Sequence, residues 1–572
     1  MKKLRHLLIA FLFCVIAVLP SLTIAGASSP PVRAKHGMVV SSHYLASQAG
    51  VKVLQNGGNA VDAAIATGFA LAVTLPSAGN IGGGGFMIVH TKDGQVRAFD
   101  FREKAPAAAH ARMFLDASGE YTAPTNHEGY LAIGVPGTVA GFFLAHEKLG
   151  QKPMRELLAP AIALAENGFT VTWGLHDDFK TLADEFRQYP ASAQVFLKND
   201  TEVYEPGEVW KQPDLAKSLK RIQQNGRDGF YKGETARLLA AAMKEHGGLI
   251  TEKDLAEYEA KERAPIHGTY RGYDVYSMCP PSSGGTAVVE MLNILEGFDL
   301  KAAGFGSAQH VHLLAESMRR AFADRARYLG DPDFNPDMPI AKLTSKEYAA
   351  QLRRSISLNR VSASHPVEFN DAHESSETTH YSVVDAEGNA VVVTYTLEDW
   401  YGSKIVAEGL GFLLNNEMGD FNPQPGRTDS TGLIGTKPNL VAPGKRMLSS
   451  MTPTIVAKDG KPYLLTGSPG GRTIINTVLQ TIVNVIDFNM DVSEAIAAPR
   501  VHHQWLPNTL SVEKFGVSPE TQRLLEMFGH NVRISGSSRS QGRAMGIMID
   551  PNTGLRKGAA DPREDDGAAV GY

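Results

Sequence analysis

Thr378 is the residue of this chain best suited to act as a nucleophile. It opens the run Thr378-Thr379-His380-Tyr381-Ser382, and the preceding segment, residues 362–377, is nearly all polar or small, with four acids and no Lys or Arg. Such a segment buries little apolar surface, so we predict an exposed connection. A threonine hydroxyl needs a base, and the α-amine of a chain's first residue titrates near neutral pH. Breaking the Glu377–Thr378 bond would give Thr378 that amine.

Two interpretations of Thr378 remain open from the local sequence. Two threonines at the start of a strand are also what β-propensity alone produces. In the other interpretation, a strained backbone lets the Thr378 hydroxyl attack the carbonyl before it, and hydrolysis of the resulting ester frees the amine.

The pair Gly470-Gly471 is a candidate anion site. It precedes a helix that starts at Arg472 and has an apolar face running from Ile474 to Ile486. Free N–H groups and the positive end of the helix dipole meet at such a position. A simple turn before the helix is the alternative.

A second glycine run, Asn80 to Phe86, leads into a strand. It does not match a phosphate-binding loop, because no Lys-Ser/Thr follows and the next element is not a helix. The glycines indicate either close backbone packing or a substrate-lining loop. Arg102 ends the following strand beside acids, and its position alone fits a surface salt bridge or a ligand-binding role.

The elements that must position these residues alternate between hairpins and helices. A β-hairpin is predicted from Thr378 to Thr396 with its turn at 385–389, and others turn at Asp459-Gly460 and at 552–554. Apolar spacing near 3.6 predicts helices over 46–72 with a break at 56–59, and at 138–149, 154–167, 213–224, 236–245 and 310–329. Residues 270–276 are predicted to form one strand. Together they predict an α+β protein, sheet on sheet with helices outside.

Composition limits the remaining possibilities. Lys2, Lys3 and Arg5 precede an apolar run from Leu7 to Leu19, and 25–27 fits a small-residue cleavage site, which predicts a secretory signal peptide at 1–27 and a periplasmic or secreted protein. Removing it changes the net charge from −5 to about −8, so nucleic acid is not an expected partner. Cys279 would be the remaining cysteine, which excludes an internal disulfide. We expect neither a metal nor a cofactor, and no membrane anchor after signal removal.

Four motifs together resemble the γ-glutamyltransferase (γ-glutamyltranspeptidase) family in order and spacing. They are Thr378–Ser382, Asn415-Asn416-Glu417-Met418-Gly419-Asp420-Phe421, Leu448-Ser449-Ser450-Met451-Thr452-Pro453 and Gly467-Ser468-Pro469-Gly470-Gly471. Residues 80–87, 100–103 and 561–563 extend the match over essentially the whole mature chain.

The resemblance implies an N-terminal nucleophile hydrolase with a four-layer αββα sandwich, autoprocessed into a large subunit, 28–377, and a small subunit, 378–572, that form a heterodimer. It implies that Thr378 attacks the γ-glutamyl amide of glutathione or a related compound and passes the acyl group to water or to an amino acid or peptide amine. Thr396 would orient the nucleophile, and the Gly470 and Gly471 N–H groups would form the oxyanion hole. The implied substrate contacts are Arg102, Ser449 and Ser450 for the α-carboxylate, and Glu398, Glu417 and Asp420 for the α-ammonium.

Two positions depart from the family's pattern. Many members have Asn where this chain has Glu398, which makes the ammonium end more acidic. The aromatic that gates the site in some members is replaced near Thr431-Gly432, in a lid loop predicted at 422–445, so we expect looser closure. The alternatives are a glutaryl or cephalosporin acylase-like amidase of the same fold, whose substrate lacks the α-amine, and a catalytically dead exported binding protein.

Overall fold

The computed structural model describes residues 28–364, 378–427, 435–536 and 541–572. Its strands, numbered along the chain, are β1 Val32–Ala34, β2 Met38–Ser41, β3 Gly84–His90, β4 Val96–Phe101, β5 Phe169–Thr170, β6 Val209–Trp210, β7 Lys261–Arg263, β8 Ile266–Tyr270, β9 Tyr273–Ser277, β10 Thr379–Val384, β11 Ala390–Thr396, β12 Thr454–Lys458, β13 Lys461–Gly467, β14 Val501–His502, β15 Leu510–Val512, β16 Val532–Ile534, β17 Met545–Ile549, β18 Arg556–Ala560 and β19 Ala568–Gly571.

The α-helices in the described residues are Tyr44–Gln55, Ala60–Thr74, Thr138–Leu149, Met154–Asn167, Trp173–Thr181, Ala183–Arg187, Pro190–Phe196, Pro213–Asn225, Asp228–Tyr231, Gly233–Glu245, Glu252–Ala256, Gly284–Leu295, Leu300–Ala303, Ala308–Tyr328, Ile340–Leu343, Lys346–Arg354, Thr473–Ile486, Val492–Ala497 and Pro519–Met527. Short 3₁₀ turns occur at Tyr130–Ala132, Glu417–Asp420 and Lys437–Asn439.

Two seven-stranded sheets form the centre of the molecule. One has the order β19-β2-β10-β11-β3-β4-β7, and the other has the order β1-β18-β17-β13-β12-β9-β8. The predicted hairpin is confirmed as the antiparallel pair β10 and β11, with Thr379 opposite Tyr395, at the middle of the first sheet. Its two strands are buried along their whole length, and Thr378 directly precedes the first of them.

The side chains of this hairpin alternate between two buried clusters, and this alternation explains how the sheets and helices are layered. Tyr381 and Val383 belong to a buried cluster with helix Ala60–Thr74, whereas Val384 and Val392 share a second buried cluster with Leu464 of the other sheet. Successive strand residues point to opposite faces, so each inner face packs on the other sheet and each outer face on helices. The second cluster also includes residues of helices Gly284–Leu295 and Thr473–Ile486. The predicted αββα sandwich is confirmed.

The prediction of one strand over 270–276 is wrong in detail. Tyr270 ends β8 and Tyr273 begins β9, and the two strands form an antiparallel hairpin. The turn between them has φ of +48° at Arg271 and +79° at Gly272. The error arises because the run is rich in strand-forming aromatic residues and its one turn signal is Arg271-Gly272.

Several predictions lie outside the described residues: the signal peptide at 1–27, Glu377 with most of the acidic segment, and Thr431-Gly432. Among the residues that are described, no helix has both the length and the apolar character required to cross a membrane.

Candidate active site

The Thr378 hydroxyl lies at the head of β10. Thr378 is 5% exposed, and its Oγ1 is 3.4 Å from Oγ1 of Thr396, the last residue of β11. That distance is longer than an ordinary O–H···O hydrogen bond. Thr396 Oγ1 also accepts a hydrogen bond of 2.9 Å from the Glu398 N–H. The hairpin register therefore brings together the two hydroxyls that the family resemblance pairs.

Asn80 holds the end of β11 in place. Its Nδ2 donates to the Thr396 carbonyl at 2.8 Å, and its Oδ1 accepts from the Thr138 hydroxyl at 2.7 Å and from the Gly83 N–H at 3.0 Å. A Cβ on Gly83 would lie 2.0 Å from the Thr396 carbonyl oxygen. Of the two interpretations of the glycine run, close packing is therefore the one that applies here, because the backbone approaches β11 where a side chain would clash.

Gly470 and Gly471 lie where the sequence places them, directly before helix Thr473–Ile486. Their φ angles are +129° and +54°, and a Cβ on Gly470 would come within 2.4 Å of the Thr473 hydroxyl. Both conformations favour glycine. This geometry turns the backbone at the helix N-terminus, where N–H groups lack intrahelical partners.

A cavity of about 250 Å³ connects the nucleophile to the predicted substrate-binding residues. Of the ten residues predicted for catalysis and substrate binding, nine line it and Gly470 is the exception. The lining consists of Arg102, Thr378, Thr396, Glu398, Glu417, Asp420, Ser449, Ser450, Met451, Gly471 and Ile474. A second cavity of about 540 Å³ also reaches Thr378, from the side of Ser77, Asp178, Trp400 and Arg543. The nucleophile therefore lies between two spaces.

One end of the smaller cavity is a cluster of buried charges. The Arg102 guanidinium donates to Glu417 and Asp420 and lies 3.5 Å from Glu103. Arg102 is fully buried. The prediction had separated Arg102 from these acids, at opposite ends of a bound zwitterion, whereas here they pair directly.

Burial raises the pKa of Glu103 to about 7 and raises that of Glu417 well above its usual range, although Arg102 opposes both shifts. Burial works against the charge of Arg102, but the carboxylates around it outweigh burial and raise the guanidinium pKa. Both oxygens of Glu103 are buried without a hydrogen-bond partner among the described residues. The cluster therefore carries more acidic groups than its single guanidinium neutralises.

Glu398 occupies a strained backbone position beside this cluster. Its φ is +85°, which a non-glycine residue seldom adopts and which costs about 1–3 kcal/mol. Burial raises the pKa of its carboxyl group, and the charge of His127 opposes the shift. His127 Nδ1 lies 3.1 Å from Glu398 Oε1.

Asn416 anchors the segment around Glu398. Its Oδ1 accepts from the Asp399 N–H at 3.0 Å, its N–H donates to the Leu397 carbonyl at 3.0 Å, and its Nδ2 donates to the His127 carbonyl at 3.1 Å. Asn416 thus ties the residues that flank Glu398 to the segment that carries His127, through both its backbone and its side chain.

Ser449 and Ser450 line the same cavity. The Ser449 N–H donates to the Pro281 carbonyl at 2.9 Å, and its carbonyl accepts from the Ser283 N–H at 2.7 Å. The Ser450 hydroxyl accepts from a guanidinium nitrogen of Arg325 at 3.1 Å, and Arg325 also donates to the Ser283 hydroxyl at 2.8 Å. A buried cation therefore contacts Ser450 and the Ser283 segment that pairs with Ser449.

Sequence reasoning missed the residues that support this site. Asn80 and Asn416 lie in motifs that it quoted but did not assign roles, and Ser283 lies in a segment to which it gave no role. His127 and Arg325 give no signal in one sequence, because the cavity residues that they contact, Glu398 and Ser450, are more than 100 residues away. Paired amides next to glycines and acids, as in 415–420, are the pattern that could have been used.

The architecture and the threonine at the head of a central strand place the protein in the N-terminal nucleophile hydrolase class. The chain belongs to the gamma-glutamyltranspeptidase family, whose model matches residues 46–571. It is 51% identical over 544 residues to the glutathione hydrolase proenzyme of Escherichia coli K12, covering 95% of this chain and 93% of that one.

Two solved structures are similar to this chain in different ways. The cephalosporin acylase from Bacillus halodurans superposes with a TM-score of 0.85 at 28% identity, covering 97% of this chain and 99% of that one. The Helicobacter pylori gamma-glutamyltranspeptidase superposes with a TM-score of 0.57 at 47% identity, covering 58% of this chain and 95% of that chain. Because an acylase shares the whole fold, the substrate must be argued from the site.

Proposed function

We propose that this protein is a γ-glutamyltransferase and glutathione hydrolase whose nucleophile is the N-terminal hydroxyl of Thr378. The observation that carries the proposal is the cavity of about 250 Å³ with Thr378 at one end and Arg102, Glu398, Glu417 and Asp420 around the other. A γ-glutamyl group has an acyl carbon for the first end and a zwitterionic head for the second.

Maturation would begin with cleavage of the Glu377–Thr378 bond, giving a large subunit, 28–377, and a small subunit, 378–572, that remain together. The E. coli relative is named a proenzyme. The H. pylori chain aligns over 95% of its own length and covers 58% of this chain, a share close to that of residues 28–377, which are 350 of the 572 residues. Strands β2 and β3 from before the cut flank β10 and β11 from after it, so the subunits would share one sheet.

In catalysis, the freed α-amine of Thr378 takes the proton from its own Oγ1, and the oxygen attacks the γ-carbonyl carbon of the donor. The oxyanion that forms is stabilised by the Gly470 and Gly471 N–H groups, where one donor is worth about 3 kcal/mol. The amine of the donor leaves with the transferred proton, and a γ-glutamyl ester on Thr378 remains. Water or an acceptor amine then attacks that ester and restores the hydroxyl. Thr396 holds the Oγ1 in position throughout.

Two spaces meet at Thr378, as acyl transfer requires. The smaller cavity would hold the glutamyl group, and the larger cavity, which Ser77, Asp178 and Trp400 help to line, gives the departing or accepting amine a route to the same carbon. Neither space would be needed at a merely structural threonine.

Recognition of the glutamyl head would exchange the existing ion pairs for new ones. The α-carboxylate would bind the Arg102 fork and the Ser449 and Ser450 hydroxyls, and the α-ammonium would bind Glu417, Asp420 and Glu398. The acylase alternative is disfavoured by this acid cluster, because a glutaryl group has no ammonium to repay the desolvation of buried carboxylates. We also propose export through the signal at 1–27 to the periplasm or the outside.

One preparation of the wild-type protein tests both steps. Denaturing electrophoresis should give two bands, near 38 and 21 kDa in proportion to the 61.6 kDa of the full chain, and the smaller should begin Thr-Thr-His-Tyr-Ser. Release of the chromophore from a γ-glutamyl anilide should exceed release from the matched glutaryl anilide. A single full-length band contradicts the nucleophile, and preference for the glutaryl compound contradicts the substrate.

A further inference from the structure

We infer that His127 is a positioning residue that holds the Glu398 carboxylate in the ammonium-binding end of the cavity and thereby sets the preference for a substrate with an α-ammonium. The inference rests on the proposed function. It assigns a role to a histidine in the part of the chain before Thr378, acting through a carboxylate in the part after it.

The His127 ring lies between Glu398 and the turn Glu417–Asp420. Its Nδ1 lies 3.1 Å from Glu398 Oε1, and a Cβ on Gly419 would lie 2.3 Å from the same Nδ1. The Asn126 side chain donates to the Gly419 carbonyl at 3.0 Å, which ties the histidine segment to the turn Glu417–Asp420. The ring therefore fills the gap between that turn and Glu398, and a larger residue at 419 would displace it.

The contact with Glu398 is the polar interaction that this ring makes. His127 Nε2 is buried and has no hydrogen-bond partner among the described residues. The His127 and Glu398 side chains are 14% and 2% exposed, so little water competes for the contact. A buried histidine with one polar partner, a carboxylate, is oriented for that partner.

Glu398 serves the site through two different groups. Its backbone N–H donates to Thr396 Oγ1 at 2.9 Å, on the side of the nucleophile, whereas its carboxylate faces His127 and lines the cavity. The backbone at Glu398 is also anchored through Asp399 and Asn416, independently of its side chain. Losing His127 should therefore disturb binding of the ammonium more than the chemical step.

The charges around the pair decide its pH dependence. The groups that act on His127 or Glu398 come from the histidine's own loop, the segment after β11, the turn at 417–420 and the end of β4: Tyr121, Asp399, Lys404, Glu417, Asp420 and, through Glu417, Arg102. Burial alone would lower the pKa of His127, but the charge and hydrogen bond of Glu398 outweigh it and raise that pKa. Asp420 and Asp399 add to this effect. The ion pair therefore exists between the pH at which Glu398 ionises and the pH at which His127 loses its proton.

Steady-state kinetics of His127→Gln test the role. We expect KM for a γ-glutamyl anilide to rise about tenfold with kcat changed less than about threefold, and KM for the glutaryl anilide to change less than about twofold. The acid limb of kcat/KM should move to higher pH, because Glu398 would lose the cation that favours its ionised form. The matched control is His110→Gln, an exposed histidine of the same region, which should match the wild type.

A double-mutant cycle with Glu398→Gln separates positioning from general damage. Glu398→Gln should raise KM as His127→Gln does, and the double variant should be no worse than the poorer single variant. The inference is wrong if the KM effects of the two single changes multiply in the double variant. It is also wrong if KM rises equally for both anilides, or if only kcat falls.

A measurement that requires no turnover tests the pairing of His127 with Glu398 separately from the proposed function. Histidine side-chain NMR of the Thr378→Ala protein should give a His127 pKa above 6.5 that falls below 6.5 when Glu398 is also changed to Gln. An unchanged His127 titration in that variant would refute the pair. If the wild type released neither chromophore while this titration behaved as expected, the proposed function would fail and the pair would stand.

Discussion

At the end of the cavity that holds Thr378, its neighbour is the Thr396 hydroxyl, and Gly471, just before a helix, also lines the cavity. At the far end, Glu103, Glu417 and Asp420 surround the Arg102 guanidinium, and Glu398 lines the same cavity. The first end is set by strand register and glycine conformation, which are local to two hairpin strands and one helix start. The far end is set by ion pairs between segments that are distant in the chain.

Because of this difference, we expect the two ends of the cavity to respond differently to amino-acid substitution. Neutral hydrogen bonds are individually worth about 0.5–1.5 kcal/mol, so the nucleophile end depends on geometry more than on any single bond. Removing one partner of a buried ion pair costs about 3–5 kcal/mol, because a charge is left without compensation. Substitutions at the nucleophile end should therefore act on rate, and those at the charged end on binding and stability.

The largest effect is expected from Thr378→Ala. This variant lacks both the hydroxyl that would cut the chain and the one that would attack the substrate, so we expect one uncut band and a loss of activity of at least about 10⁴-fold. Electrophoresis and anilide turnover measure the two losses. Thr378→Ser keeps a hydroxyl and should keep partial cleavage, and a fully cut Thr378→Ala protein would contradict the assignment.

Arg102→Gln should be the most damaging change at the charged end. It leaves Glu417 and Asp420 beside Glu103 without a cation, so we expect the free energy of unfolding to fall by about 3–5 kcal/mol and kcat/KM to fall by about 10²–10³-fold. Denaturant unfolding, measured in the Thr378→Ala protein, gives the stability without interference from cleavage.

The matched control for that change is Arg102→Lys. Lysine keeps the charge but cannot donate to Glu417 and Asp420 through a planar fork, so it should recover part of the stability and little of the activity. Equal stability of the Gln, Lys and Arg proteins would mean that the ion pairs contribute nothing, and the contrast between the two ends would collapse.

The same contrast explains what could be predicted from the sequence. The hairpin from Thr378 to Thr396 was predictable because β-branched residues and the turn at 385–389 are neighbours in the chain, and Gly470-Gly471 before an apolar helix face is an equally local signal. The pairing of Arg102 with Glu417 was not, because 315 residues separate them and the resemblance assigned them to opposite ends of a ligand. His127 was missed for the same reason: its partner is set by tertiary packing.

Thr396→Val tests the role of the second hydroxyl at the nucleophile end of the cavity. Valine keeps the shape and the strand preference of threonine but removes the oxygen that contacts Thr378 and accepts the Glu398 N–H. We expect kcat to fall about tenfold with KM nearly unchanged, and the free energy of unfolding to fall by about 1–2 kcal/mol. Thr396→Ser is the control and should retain most of kcat. A rise in KM without a change in kcat would place Thr396 in binding instead.

The smallest effect is expected from Glu103→Gln, as a change in the pH dependence of stability. Burial raises the pKa of the Glu103 carboxyl from 4.5 to about 7, so the folded protein holds this proton more tightly than the unfolded chain does. The stability that the proton contributes is complete below about pH 4.5 and is lost as pH rises through about 7. Glutamine keeps a neutral side chain at every pH and avoids that loss.

Denaturant unfolding of the Thr378→Ala protein from pH 5 to 8, with and without Glu103→Gln, measures the difference. Relative to its parent, the Gln variant should gain about 2 kcal/mol over this range. Glu147→Gln, at an exposed glutamate, should give no such gain. If Glu103→Gln follows its parent in parallel across the range, Glu103 is ionised throughout. At neutral pH the charged end then holds more negative charge than a Glu103 pKa of about 7 implies, and its attraction for an α-ammonium is correspondingly stronger.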